Sequence, residues 1–97
     1  MAKVSTETSV SPDAGLAAVN VRLFAGAAEA AGVRFQPMSI ECGATVDDLF
    51  DRIAVDFPML ASMKSCLKFA VNQEFVDLDR TLSHGDEVAV IPPVSGG

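Results

Sequence analysis

The sequence predicts a two-layer α+β domain, a mixed sheet with one main helix packed across it, and three observations lead there. Apolar and polar residues alternate over residues 19–24, 36–41, 67–72 and 87–91, which is the period of a half-buried strand. One longer segment, residues 46–57, instead carries its apolar residues at helical spacing. The whole chain is 97 residues, enough for one modest core and no more.

Residues 1–18 are rich in Ser and Thr, contain Ser11-Pro12-Asp13-Ala14-Gly15 and show no apolar period, so a flexible arm is expected there. The domain proper is expected over residues 19–93, with residues 94–97 as a tail. Val19, Val21 and Leu23 alternate with Asn20, Arg22 and Phe24 as a first strand. The Ala-rich stretch from Ala25 to Ala31 stops at Gly32, as a short helix closed by a left-handed glycine would. Gln36, Met38 and Ile40 then mark a second strand, and Pro37, which has no N–H to donate, places it at a sheet edge.

Thr45 is a good N-cap, followed by Asp47 and Asp48 in the first turn, where the helix dipole favours them. Val46, Leu49, Phe50, Ile53, Ala54 and Phe57 form one apolar stripe, and Pro58 ends the helix. The opposite side, with Asp47, Asp48, Asp51, Arg52 and Asp56, reads as a solvated face. After a weakly helical stretch over residues 60–65, Leu67, Phe69 and Val71 make a third strand. Asn72-Gln73 forms the tight turn of a hairpin into residues 75–78. The turn His84-Gly85-Asp86 leads to a last strand over residues 87–91, which runs into Pro92-Pro93. This is the β-grasp order of ubiquitin-like proteins, and fold alone names no function.

Seven Lys and Arg against thirteen Asp and Glu give a net charge of −6. That balance argues against nucleic acid and against an anionic membrane surface, both of which bind through clustered cations. No apolar run approaches a membrane span, no secretory signal is expected from the first residues, and two cysteines make no disulfide framework. A cytoplasmic chain is expected. Cys42, Cys66 and His84 fall short of a zinc ligand set, and His84 has no positioned partner in sequence. Gly26 and Gly32 make no phosphate loop, and Asp77, Asp79 and Asp86 are not spaced as a calcium loop. No resident cofactor or metal is expected.

The reactive feature is the end, Pro92-Pro93-Val94-Ser95-Gly96-Gly97. Two prolines stiffen the exit and stop the strand. The four residues after Pro93 reach about 13 Å at ~3.3 Å each. Gly96 and Gly97 lack Cβ atoms and can thread a narrow channel. A carboxylate on glycine is the least hindered acyl group a chain can present. Its natural chemistry is activation as an acyl-adenylate, then exchange of AMP for a sulfur or nitrogen nucleophile.

Ala70-Val71-Asn72-Gln73, Gly85-Asp86-Glu87-Val88, Leu23-Phe24-Ala25 with the helix to Gly32, and the Pro-Pro-Val-Ser-Gly-Gly ending together resemble the small subunits of molybdopterin synthase, the MoaD family within the MoaD/ThiS ubiquitin-like sulfur carriers. The resemblance spans about residues 19–97. It implies that an E1-like (MoeB-like) adenylyltransferase activates Gly97 with ATP and that a sulfurtransferase step makes the thiocarboxylate. The tail then enters a MoaE-like large subunit of a heterotetrameric synthase and gives sulfur to cyclic pyranopterin monophosphate. Catalytic side chains, a lysine among them, are implied in that large subunit. The chain would then be the sulfur-donating part of a transferase.

The strand alternation separately places Arg22, Phe24, Lys68, Ala70, Phe75, Asp77, Ala89 and Ile91 on the sheet face opposite the helix. Phe24, Phe75 and Ile91 would make an apolar partner interface there. Three other readings stay open: a sulfur carrier for thiamine, cysteine or transfer-RNA thiolation; a ubiquitin-like modifier joined to lysines through Gly97; and a non-covalent binding module that ends in Gly-Gly by chance.

Overall fold

The computed structural model describes residues 15–93, so most of the expected arm and the tail residues Val94, Ser95, Gly96 and Gly97 lie outside the described residues. Strand β1 runs over Leu16–Leu23 and starts earlier than the expected boundary at Val19. Residues 16–18 therefore belong to the domain rather than to an arm. The strand period was hidden there because Ala17 is buried while Leu16 is 48% exposed, so the small residue faces in and the large one out.

The chain turns sharply after β1. Ala25 takes a φ of 49°, a costly conformation for a residue with a Cβ, and opens α1 (Ala25–Ala31). Gly32 closes it at φ 79°, donating its N–H to the Ala28 carbonyl, as expected. Strand β2 (Phe35–Glu41) pairs antiparallel with β1, and Pro37 does lie on an edge strand.

Helix α2 (Val46–Asp56) begins with a full capping box. The Thr45 hydroxyl accepts from Asp48 N–H at 3.2 Å, and the Asp48 carboxylate accepts from Thr45 N–H at 3.0 Å. Val46, Leu49, Phe50 and Ile53 are buried, and Phe50 meets Phe69 edge-to-face at 5.6 Å. Pro58 does not stop helical structure altogether: it sits at the start of a four-residue helix α3 (Pro58–Ala61), followed by a 3₁₀ turn at Lys64–Cys66.

Strands β3 (Lys68–Val71) and β4 (Glu74–Val76) form the expected hairpin, with Asn72 and Gln73 at φ 51° and 74°. Both signs match the two-residue turn that suits strand twist. β4 is shorter than expected, because from Asp77 the chain turns towards α2. There Leu78 and Arg80 carbonyls accept from Asp47 and Val46 N–H, each at 2.9 Å. The last strand, β5 (Glu87–Ile91), has the expected limits.

The five strands lie in the order β2-β1-β5-β3-β4, with β5 parallel to β1 and the other pairs antiparallel. One sheet face carries Val19, Val21, Leu23, Phe69, Val71, Val88 and Val90 into the core under α2. The α+β expectation is thus borne out. The arrangement makes β5, the strand that feeds the tail, the middle strand of the sheet.

Candidate functional site

Because β1 and β5 are parallel, both reach the same end of the sheet. Phe24 follows β1 there, and its N–H donates to the Val90 carbonyl at 3.2 Å. Ile91 ends β5 opposite Lys68, the first residue of β3. Pro92, half-buried, and Pro93, exposed, then carry the chain away from the middle of that end. Neither proline can donate to a ladder, so pairing stops at Ile91. The segment proposed to react, Val94 to Gly97, lies outside the described residues.

Strand register sets out the outer face of the sheet. Phe35 pairs with Arg22, Arg22 with Ala89, Ala89 with Ala70, and Ala70 with Phe75, one row across all five strands. The next row towards the exit holds Ile91 and Lys68, with Phe24 beside Ile91. Phe75 is 71% exposed and Phe24 46%, while Ile91 is half-buried. Phe24 and Ile91 are therefore neighbours, whereas Phe75 stands apart on the edge strand. Between them lie Ala89 and Ala70, the latter buried although it is on the outer face. The three residues named from the sequence share one face, but small residues bridge them into a shallow saddle.

Phe35, 47% exposed, extends that saddle to the far edge. Sequence reading missed it, although continuing the outward set of Pro37, Ser39 and Glu41 back by one step would have found it. Arg22 lies over the Phe35 ring at 5.6 Å and pairs with Glu87, so its charge is matched. Lys64 is 2.6 Å from Asp47, whose hydrogen bond holds the ammonium above the ordinary lysine range.

The opposite end of β5 is tied down. Asp86, the one buried polar residue among the described residues, accepts from Asn72 Nδ2 at 3.0 Å and from Ser83 N–H at 2.8 Å. Asn72 Oδ1 accepts from Glu87 N–H at 3.0 Å. The two short motifs around Asn72 and Asp86 are thus two halves of one hydrogen-bonded clasp. His84 is not idle either: its Nδ1 accepts from Ala18 N–H at 3.0 Å and helps hold β1. Cys42 and Cys66 are exposed and free, and Cys66 has only a long contact with Ser65. Among the described residues no group of three His, Cys, Asp or Glu could hold a metal, and no helix is long and apolar enough to cross a membrane.

The ThiS family pattern matches residues 21–97, from within β1 through the clasp to the final glycine. The chain belongs to the ThiS family. Among curated relatives of this ThiS-family chain, the molybdopterin synthase sulfur carrier subunit of Chlamydomonas reinhardtii is 45% identical over 82 residues, 81% of this chain and 98% of that one. The protein of the same name from Homo sapiens is 41% identical, with 84% and 97% covered. Among solved structures, SAMP1 from Haloferax volcanii superposes with a TM-score of 0.77 at 33% identity, covering 82% of this chain and 99% of that one. The protein–protein complex of subunits 1 and 2 of the molybdopterin-converting factor from Helicobacter pylori contains a chain matching at TM-score 0.57 and 26% identity, with 82% and 99% covered. A Caldiarchaeum subterraneum ubiquitin, at 13% identity and TM-score 0.59, covering 86% of this chain and 100% of its own, shares the β-grasp fold.

Proposed function

We propose that this ThiS-family chain is the sulfur-carrier subunit of a molybdopterin synthase, with the Gly97 carboxylate as its reactive group. The observation that carries the reading is the exit: the middle strand of the sheet discharges Pro92-Pro93 beside an exposed apolar saddle, and the family match continues to residue 97. A thin acyl tail beside a docking face suits a chain that is handed from one partner to the next. The names of the relatives support the product, and the subunit 1 and 2 complex supports a large-subunit partner.

In the proposed cycle, the Gly97 carboxylate attacks the α-phosphorus of ATP on an E1-like adenylyltransferase and pyrophosphate leaves. A sulfur nucleophile supplied by a sulfurtransferase displaces AMP, leaving a thiocarboxylate. Inside the large subunit the sulfur passes to cyclic pyranopterin monophosphate, and water restores the carboxylate. Pro92 and Pro93 keep the base of the tail extended, Val94 and Ser95 span the channel, and Gly96 and Gly97 reach the reacting atoms. Phe24, Phe75 and Ile91 contact the partner. Catalytic side chains belong to that partner, and all of this takes place in the cytoplasm.

A second reading has its own support: a small archaeal modifier protein from Haloferax volcanii is 34% identical over 84 residues, so attachment of Gly97 to protein lysines is a competing use of the same acyl chemistry. Intact mass spectrometry of the chain from its native cells separates them. Replacing the terminal OH by SH adds about 16 Da. A thiocarboxylate population supports the carrier. Carboxylate alone during active cofactor synthesis, with ladders of conjugates on other proteins, supports the modifier.

A further inference from the structure

We infer that Lys68 is a specificity-determining contact, which receives a carboxylate of the protein that admits the tail. The inference rests on the carrier reading above and adds the chemistry of the partner at the tail's base. From Pro92 to Gly97 no side chain is ionisable, so any charge that registers a partner at this exit comes from the folded domain. Lys68 supplies it: exposed, first in β3, and directly across from Ile91, the residue before the prolines.

Two other cations near the face are already matched, and Arg34 lies on the β2 side of Phe24, away from β3. Arg22 pairs with Glu87, and Lys64 pairs with Asp47. Neither of the two ion pairs among the described residues includes Lys68, although Asp77 lines the same groove of about 710 Å³ with Lys64, Phe75 and Leu78. Around Lys68 the face offers Ile91, Ala70 and Phe75, all without a charge, and one acid, Asp77, which makes no ion pair with Lys68. A partner that covers this saddle must cover Lys68 with it. An ammonium enclosed without a counter-charge opposes docking, whereas one met by a carboxylate fixes the register. The net charge of −6 does not steer an acidic protein here from a distance, so the contact acts locally, on the lifetime of the complex.

The test is titration calorimetry of the full chain with its large synthase subunit, using Lys68→Met, Lys68→Glu and Asp77→Asn. With a partner carboxylate in place, Lys68→Met strands that carboxylate and raises Kd about tenfold, and Lys68→Glu raises it further. Asp77→Asn removes the local competitor and leaves Kd equal or lower. Added salt narrows the gap between the parent and Lys68→Glu. Lys68→Met binding as tightly as the parent, or more tightly, while Phe75→Asp still disrupts the complex, overturns the carboxylate contact alone. A parent chain that does not bind the large subunit overturns the carrier reading and this contact together. Lys68 is exposed, so unchanged thermal melting of its variants confirms that only docking is being read.

Discussion

The two ends of β5 are opposites. At its start, Asp86, Asn72, Ser83 and Glu87 are cross-linked by side-chain hydrogen bonds, and His84 clips the same turn to β1. At its finish, the ladder to β3 ends at Ile91 opposite Lys68, the Phe24 N–H reaches the Val90 carbonyl, and two prolines that can donate nothing follow. The clasp holds with specific polar contacts, while the exit sheds them. A strand anchored at one end can release a bare tail at the other without losing its place in the sheet. Under the proposed function, stability and chemistry belong to different ends of one five-residue element.

If that division is right, variants at the exit abolish function without touching stability, and variants at the clasp do the reverse. The largest effect belongs to Gly97: deleting it, or adding one residue after it, abolishes sulfur transfer in a reconstituted assay while the melting temperature stays unchanged. Phe75→Asp comes next. It removes association with the large subunit in calorimetry, and its far-ultraviolet circular dichroism and melting match the parent. At the clasp, Asp86→Ala removes two hydrogen bonds, those from Asn72 Nδ2 and Ser83 N–H, which costs about 2 kcal/mol. That lowers the melting temperature by on the order of 10 °C, with sulfur transfer intact in the cold. His84→Ala loses one bond to Ala18 and costs about 1 kcal/mol, read from the same melts.

The smallest effect lies with Lys64 and Asp47, away from both ends. Asp47 raises the Lys64 pKa, so the folded state holds this proton more firmly than the unfolded chain. The pair therefore stabilises fully below the ordinary lysine value and is lost as pH rises past the raised one. Denaturant midpoints in alkaline buffer should fall slightly, and Asp47→Asn should remove that slope. The pair is exposed, which keeps the effect small.

Much of this division was legible in the sequence. Period-two alternation located the strands, Thr45 as an N-cap marked the start of α2, and Pro92-Pro93 with Gly96-Gly97 suggested the tail. What escaped has physical reasons. Leu16 and Ala17 invert the usual size rule, so β1 was entered late. His84 and Ala18 are 66 residues apart, and no local pattern records such a bond. Asn72 and Asp86 were noticed as separate motifs, but that they clasp each other follows from β3 and β5 being neighbours, which is a property of strand order. The saddle was half legible: alternation assigned its residues to one face, but only the register showed Phe24 beside Ile91 and Phe75 set apart by Ala70.

The parallel pairing of β1 with β5 also orders events in time. Asn20 waits for Glu87 and Leu23 for Val90, so the sheet has no centre until almost the whole chain exists. Such distant pairing is slow to form and leaves earlier strands unprotected meanwhile. During synthesis, however, it means that the strand which completes the core is immediately followed by the tail. A chain stalled short of β5 carries neither. In the proposed cycle the acyl group therefore reaches an activating enzyme only on a chain able to have finished folding, so the topology would act as a proofreading step on the supply of carrier.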